Sequence, residues 1–302
     1  MPAPTLHAVS TRTTRRAIIA LLIAAFLYGA TFVVIKSALE DIPPLRFVAW
    51  RFTIGAIALA LFALPRGRTI WIHGAIAGLA LFAGYALQTA GLAATTASNS
   101  ALITGLYVVL TPLLAALFRR RPPSGWVLAA AVAAFFGIFL LTDTSGLSLS
   151  HGDLLTLGCA FAFAFHIVAL ARYASQHPVV PFTTVQLAVT AALAFPASLL
   201  VDGPGVPALS VWPALIITAL GVSVGAFLLQ VWSQTILGAG TTAVVLAAEP
   251  AFAVATAWVV LGERLDLAGW AGTVLIVIAI FMVITHQHDD RSELAESISP
   301  AH

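Results

Sequence analysis

The sequence predicts an all-α integral membrane protein, with ten transmembrane helices arranged as two inverted five-helix repeats. Composition is the first observation: of 302 residues, 60% are hydrophobic and only 9% are charged, and the mean hydropathy is +1.01. A soluble domain carries about 25% charged residues. The second observation is that the apolar residues fall into long blocks, the pattern of membrane-spanning helices. The third is an internal repeat, which fixes the relation between the two halves.

Charges and proline- or glycine-rich loops divide the chain into ten candidate spans. Each is close to the roughly 17–25 residues that cross the hydrocarbon core of a bilayer. The apolar stretch from Ala17 runs on to Val34, beyond the roughly 7–15 residues of a signal-peptide core, so we interpret it as an uncleaved first span. The predicted spans are residues 17–36, 45–64, 71–91, 97–118, 126–142, 153–173, 181–201, 211–233, 240–261 and 267–285.

Basic and acidic residues are distributed unequally between the two sides of these spans. If the N-terminus is cytoplasmic, ten of the 14 Lys and Arg residues also lie on that side: Arg12, Arg15, Arg16, Arg66, Arg68, Arg119, Arg120, Arg121, Arg172 and Arg291. The opposite loops carry the acidic residues Glu40, Asp41, Asp143, Asp153, Asp202, Glu263 and Asp266. Because cytoplasmic loops are enriched in Lys and Arg, we predict a multi-pass protein of the cell membrane with both termini in the cytoplasm.

The two halves of the chain match each other. At an offset of 135 residues, AFLYGATFVVIKSA overlays AFAFAFHIVALARY; at 142, Gln88 overlays Gln230 and Tyr107 overlays Glu249. Each half holds an odd number of spans, so the second copy is inverted, as in many secondary transporters. The predicted segments are a cytoplasmic tail over 1–16, the repeats over 17–143 and 152–285, and a second cytoplasmic tail over 286–302.

Motifs of other functional classes are missing from the sequence. A single cysteine, Cys159, excludes an internal disulfide and a cysteine-rich metal site, and we expect no metal and no cofactor. The net charge of +2 does not favour nucleic acid as a partner. There is no phosphate-binding loop for an ATP-driven pump, no H-E-x-x-H, and no ring of like charges for a channel. An intramembrane enzyme that acts on a lipid-linked substrate is the alternative class.

Glu249 is the only carboxylate deep inside a predicted span, and Pro250 follows it. An ionised acid at mid-membrane costs about 2.5–3.5 kcal/mol on insertion scales, so Glu249 requires a cavity or a partner. One interpretation is a site that exchanges protons or contacts the substrate, since burial favours the neutral acid. The other is a structural glutamate that satisfies helix ends loosened by Pro250, which lacks a backbone donor. The two interpretations have equal weight.

Other polar and aromatic side chains are candidates to line a central cavity. The repeat-related amides Gln88 and Gln230 need hydrogen-bond partners within a membrane, so we expect both to face the interior. His166 is the only histidine in mid-span and can relay protons, although such a histidine is more often simply packed and hydrogen-bonded. For each candidate the alternative is ordinary helix packing. The predicted substrate-binding or cavity-lining residues are Glu249, Gln88, Gln230, Tyr107, Tyr85, His166, Tyr28, Trp232 and Gln234.

Two basic residues near the outer ends of their spans are candidates for handling charge. They are Arg51, which overlays Gln186 in the repeat, and Lys36. For Arg51 we favour a side chain that extends to the membrane interface over one that binds a substrate carboxylate. Lys36 has the same two interpretations.

Two glycine motifs lie on corresponding spans of the two halves. Gly74 and Gly78 are four residues apart, and so are Gly221 and Gly225. Small residues at this spacing let helix backbones approach closely, so we predict tight packing at both motifs.

A family pattern runs through both halves. It includes YGATFVVIKSAL, PPLRFVAWRF and QTAGLAATTASNSALITGLYVVLTPLLAAL in the first half, and AAEPAFAVATAWVVLGERLDLAGWAGTVLIVIAI in the second. Over about residues 20–285 the chain resembles the drug/metabolite transporter superfamily, specifically its EamA-type members with two five-helix domains. Departures exist: Tyr28 and Phe163 stand where a tryptophan is common, and His166 where another aromatic residue is usual.

The resemblance implies ten helices, cytoplasmic termini, a central cavity between the halves and alternating access. Members move small metabolites, amino acids, nucleotide-linked compounds or drugs, and EamA-type members are often exporters. We therefore predict a secondary transporter, not an enzyme, that exports a small amino-acid-like or drug-like metabolite. The expected partners are this substrate, membrane lipid and, as a candidate, protons; neither a monomer nor a homodimer is favoured.

Overall fold

All the secondary structure that is described is helical, which confirms the all-α class. The computed structural model describes residues 11–94, 103–120, 122–141, 150–261 and 267–286. Within these residues six helices are long and apolar enough to cross a membrane. Three shorter apolar helices accompany them: Ile103–Arg119, Gly125–Leu140 and Ala239–Ala253. The chain is thus a multi-pass membrane protein, while the count of ten spans stays a prediction.

The helices follow one another with short connections. In the first half they are α1 (Thr11–Ala30), α2 (Phe32–Ala38), α3 (Pro44–Ala60), α4 (Arg68–Ala94), α5 (Tyr107–Arg119) and α6 (Gly125–Leu141). In the second half they are α7 (His151–Tyr173), α8 (Val179–Val201), α9 (Trp212–Ile217), a π-helical segment (Thr218–Ala226), α10 (Phe227–Gln234), α11 (Ala239–Leu246), α12 (Glu249–Leu261) and α13 (Leu267–Thr285). Helix α1 begins within the segment predicted as a tail.

Local sequence signals explain several helix ends. Pro44 is the first residue of α3, where a missing backbone N–H costs nothing. The Ser150 hydroxyl accepts a hydrogen bond from the Asp153 backbone N–H, and the Asp153 carboxylate accepts one from the Ser150 backbone N–H. This capping box starts α7 and gives Asp153 a structural role.

The two halves pack against each other through matched helices. Helix α3 packs on α8, α6 packs on α13, and α4 packs on both α7 and α8. The glycines of α4 permit this last contact, because a Cβ at Gly74 would lie 2.6 Å from Val185 Cγ1 and one at Gly78 would lie 2.9 Å from the Gln186 carbonyl oxygen. The tight packing predicted for Gly74 and Gly78 is confirmed.

The second glycine motif does not pack tightly, so that prediction is wrong. A Cβ at Gly221 would have no atom within 4 Å, and one at Gly225 would come no closer than 3.5 Å to any atom. Both glycines lie in the π-helical segment Thr218–Ala226. Its wider turns change which residues face the neighbouring helices, which a periodicity of 3.6 residues does not anticipate.

Polar contacts join the first half to the second at opposite ends of the fold. At one end, His73 Nδ1 lies 2.9 Å from His177 Nε2. Burial lowers the pKa of His177 and the neighbouring His73 lowers it further, so that neutral rings share one hydrogen bond near pH 7. At the other end, the Arg46 backbone N–H donates to Asp202 Oδ2 at 2.8 Å, and its guanidinium donates to the carbonyl oxygens of Asp202 and Gly203.

Candidate functional site

A cavity lies among helices of both halves. About 70 Å³ of its space is open to the centre of a water-sized sphere, several times the roughly 10–15 Å³ that a single water needs. Aromatic rings and aliphatic side chains form most of its wall, with a few amides and one carboxylate. The lining residues are Tyr28, Leu81, Tyr85, Gln88, Thr104, Tyr107, Phe163, His166, Ile167, Phe227, Gln230, Leu246 and Glu249.

Most residues proposed from the sequence lie together around this cavity. The seven are Glu249, Gln88, Gln230, Tyr107, Tyr85, His166 and Tyr28. Gln234 lies behind the wall, where its amide accepts from Gln230 at 3.3 Å and donates to the Ile167 carbonyl at 2.8 Å. Trp232 is half-buried against the main apolar core. The side chain of Lys36 lies outside the described part of the structure.

Most lining residues are related in pairs by the offsets of the internal sequence repeat. At the offset of 142, Tyr85 pairs with Phe227, and three further pairs follow the same rule. At the offset of 135, Tyr28 pairs with Phe163. Ten of the 13 lining residues therefore form five repeat-related pairs: Tyr28 and Phe163, Tyr85 and Phe227, Gln88 and Gln230, Thr104 and Leu246, and Tyr107 and Glu249.

Glu249 lies at a break in the backbone. Helix α11 ends at Leu246 and α12 begins at Glu249, with a turn at the two alanines between them. Pro250 occupies the second position of α12, where its missing N–H is not needed. A carboxylate in the first turn also complements the positive end of the helix dipole. Gly29 of α1 packs directly on this break, because a Cβ there would contact the Glu249 carbonyl oxygen.

The Glu249 carboxylate lines the cavity. Among the described residues no side chain donates a hydrogen bond to it. The corresponding residue in the first half, Tyr107, is the first residue of α5, so both repeat-related helices begin at the same relative position. Among the lining residues that the structure describes, Glu249 is the only acidic one.

Two hydrogen bonds orient polar groups of the wall. The Tyr28 hydroxyl donates to Gln230 Oε1 at 2.7 Å and connects the first half to the second. His166 Nε2 lies 3.0 Å from Gln186 Oε1, so the imidazole donates to the amide oxygen. His166 is 2% exposed, and Gln186 is fixed in turn by the Phe182 carbonyl, to which its amide donates. Tyr28, Gln230 and His166 make these bonds and also line the cavity.

Arg51 does not extend to the membrane interface, so the favoured interpretation of this residue is wrong. Only 2% of its surface is exposed, and its Nε donates to Ser223 Oγ at 2.9 Å. Its guanidinium lies 5.0 Å from the centroid of the Tyr85 ring, which itself lines the cavity. Arg51 is the eighth of the 17 residues of α3, in the middle of the helix, and the neighbouring helices enclose it.

Six lining residues were missed because neutral side chains give no signal within an apolar span. Phe163 and Phe227 are repeat mates of the predicted residues Tyr28 and Tyr85, so the repeat offset would have found both. Thr104 and Leu246 are repeat mates of each other, and neither was predicted. Leu81 and Ile167 have no such mate in the wall. No sequence feature distinguishes those two from ordinary core residues.

The comparisons with known proteins agree with this architecture. The sequence model of the EamA-like transporter family matches residues 15–143 and again 150–285. An uncharacterized transporter of Archaeoglobus fulgidus is 33% identical over 270 residues, covering 87% of this chain and 84% of that protein. A probable amino-acid metabolite efflux pump of Escherichia coli is 29% identical, covering 86% of this chain and 92% of that protein. A protein of known crystal structure has the same fold, with a TM-score of 0.74, 22% identity, and coverage of 92% of this chain and 98% of that one.

The chain belongs to the EamA-like transporter family, the EamA-type branch of the drug/metabolite transporters. It is therefore a multi-pass membrane protein that transports small metabolites, and it is not an enzyme. Family membership removes the alternative of an intramembrane enzyme acting on a lipid-linked substrate.

Proposed function

We propose that the protein is a secondary transporter that exports a small amphipathic metabolite across the cell membrane by alternating access. The observation that carries this proposal is the cavity, in which ten of 13 lining residues form repeat-related pairs. A binding site on a pseudo-two-fold axis contacts both halves equally. Two inverted halves can exchange conformations around such a site without changing its contacts.

Helix packing supports a cavity that is closed at one end. Helix α11, the segment before the break, packs on α5, and a Cβ at its Gly240 would contact Val127 near the start of α6. Helix α12, the segment after the break, packs on α1, which α11 also contacts. The Gln234 bond to the Ile167 carbonyl adds to the closure near α11. With the termini and the arginine-rich loops placed in the cytoplasm, we infer that this arrangement corresponds to an outward-facing state.

The lining favours a substrate with an apolar body and a few polar groups. Phe163, Phe227 and three tyrosines offer ring faces, which suit aromatic or aliphatic substituents. Gln88, Gln230 and His166 offer hydrogen-bonding groups that fix orientation. An amino-acid-like or drug-like solute fits this chemistry, and the relative named a probable amino-acid metabolite efflux pump supports the same class.

Purified protein in proteoliposomes tests the function. Flux of radiolabelled amino acids and amphipathic metabolites is measured by counterflow, with and without a pH gradient. We expect saturable flux of at least one solute, and none in liposomes without protein. Absence of flux for every small solute, together with turnover of a lipid-linked substrate, would contradict the proposal.

A pair of glutamine variants tests whether flux passes through the cavity. Gln230→Leu removes the acceptor of the Tyr28 hydroxyl from the wall, whereas Gln176→Leu alters a glutamine in an exposed turn. One neutral hydrogen bond contributes about 0.5–1.5 kcal/mol, so we expect Gln230→Leu to lower flux roughly two- to tenfold. The Gln176 variant should match the wild type. Equal flux in both variants would place the transport path elsewhere.

A further inference from the structure

Arg51 is a buried cation that the proposed transport cycle does not use. It lies in α3, and its Nε is bonded to Ser223 in the π-helical segment Thr218–Ala226. Its guanidinium carbon lies 5.3 Å from the Phe52 ring centroid and 5.0 Å from that of Tyr85. The aromatic faces stabilise the charge, but each such contact contributes only about 0.5–2 kcal/mol.

The guanidinium has more donors than the surrounding residues satisfy. It carries five N–H groups, of which Ser223 accepts one and the Tyr85 hydroxyl can accept at most two. Among the residues that the structure describes, no carboxylate lies within 4.0 Å of it. A buried cation without an anion is costly in a membrane protein. At least two donors are thus available to a ligand.

The repeat shows that the scaffold does not need a cation at this position. The residue that overlays Arg51 in the second half is Gln186, which is equally buried at 1% exposure. Gln186 bonds His166, a residue of the cavity wall, as Arg51 approaches Tyr85 of the same wall. One half therefore fills the position with a neutral amide, and the other half fills it with a permanent positive charge.

Tyr85 connects Arg51 to the cavity, because the guanidinium lies 5.0 Å from the centroid of its ring and the same ring lines the cavity. Glu249 lines the same cavity. The cavity is therefore flanked by a cation behind Tyr85 and a carboxyl group in its own wall. Charged groups around the cavity interact strongly with a charged ligand, because the surrounding medium has a low dielectric constant. An anionic group on the Tyr85 side is attracted, and a cationic group there is repelled.

We propose that Arg51 determines specificity by selecting substrates that carry a carboxylate, which binds on the Tyr85 side of the cavity. Arg51 does not itself line the cavity, so its guanidinium attracts the carboxylate from behind Tyr85 through a medium of low dielectric constant. Ser223 is the positioning residue, because its bond to Nε fixes the plane of the guanidinium. This proposal rests on the transport function proposed above and names the substrate class.

Matched pairs of solutes test the role of Arg51. Each pair shares one carbon skeleton and differs only in a free carboxylate or its primary amide. We expect wild-type protein to transport the acid of each pair with the lower KM. Arg51→Gln should raise the KM of the acid about tenfold or more, as expected for losing a nearby positive charge in a medium of low dielectric constant, and leave that of the amide unchanged. Arg51→Lys should lie between them, since it keeps the charge without the planar fork.

Two further variants separate recognition from structure. Arg68→Gln removes an exposed arginine of α4 and should leave both KM values unchanged. Ser223→Ala should raise only the KM of the acid, by less than Arg51→Gln does. Equal losses for acid and amide in Arg51→Gln would overturn the proposal and leave Arg51 a structural residue.

If Arg51→Gln fails to fold, the relative transport of acid and amide by the wild type still tests the proposal. Equal transport of acid and amide by the wild type, or transport of amides alone, overturns the selection of carboxylates while leaving the transport function intact. Absence of flux for both members of every pair, and for all other small solutes, overturns the transport function itself.

Discussion

At the scale of single residues, Glu249 combines two positions that a side chain rarely holds together. It is the first residue of α12, where a carboxylate complements the helix end, and it lines the cavity. Its repeat mate Tyr107 holds the same two positions without an acid. The fold can therefore begin a helix here without a carboxylate, which favours a role for Glu249 in proton exchange or substrate contact.

Glu249→Gln tests this role, since the amide keeps the size of the side chain but exchanges no proton. We expect the flux of the variant to lose its response to a pH gradient, measured in proteoliposomes at several internal and external pH values. Glu40→Gln, which alters an exposed acid near the end of α2, is the control and should keep the wild-type response. A Glu249→Gln protein with wild-type flux and wild-type pH dependence would leave Glu249 a purely structural residue.

Residue identity alone located the polar wall of the cavity but not its apolar part. Glu249, Gln88 and Gln230 stand out because a polar group within an apolar span needs a reason. Phe163 and Leu81 do not stand out, because apolar side chains fill every face of such helices. The prediction that the Arg51 side chain extends to the membrane interface was wrong, because the sequence does not show that the π-helical segment Thr218–Ala226 packs over it.

At the scale of helices, two interruptions shape the cavity. The break between α11 and α12 was expected from Pro250, because proline cannot donate the backbone bond of a helix interior. The π-helical segment Thr218–Ala226 was not expected, because no proline or charge marks it. Its geometry follows from tertiary contacts with α1 and α3, which local sequence does not encode.

Alanine substitutions at Gly78 and Gly221, one from each glycine motif, give a matched test of helix packing. A Cβ at Gly78 would lie 2.9 Å from the Gln186 carbonyl oxygen, so Gly78→Ala should destabilise the protein by about 1–3 kcal/mol. Gly221→Ala meets no neighbour within 4 Å and should be neutral or stabilising by up to about 1 kcal/mol. Thermal unfolding of both variants in the same detergent measures the difference. Equal melting temperatures would contradict the packing described for α4 and α8.

At the scale of the whole molecule, the sequence repeats itself, and one family model matches both halves, over residues 15–143 and 150–285. The offsets of 135 and 142 were visible in the sequence, and the same offsets pair residues across the cavity. Composition and the pattern of apolar blocks thus predicted the all-α class of fold, and the offsets relate most residues of the cavity wall in pairs. The sequence did not predict how the cavity is enclosed, because that depends on which helices pack together at each end, as α5 and α11 do.

Accessibility of the cavity from each side of the membrane tests alternating access most directly. Cys159 is the single cysteine, so Cys159→Ser gives a background in which Thr104→Cys and Leu246→Cys report on repeat-related positions of the wall. Gln176→Cys, in the exposed turn that follows α7, is the control for labelling outside the cavity.

In this background, membrane-impermeant thiol reagents are applied to oriented vesicles from either side, with and without a transported solute. We expect both cavity cysteines to react from both sides, and the solute to change the two rates in opposite directions. The control cysteine should show no response to the solute. Reaction from one side only, at a rate that no transported solute changes, would contradict alternating access through this cavity.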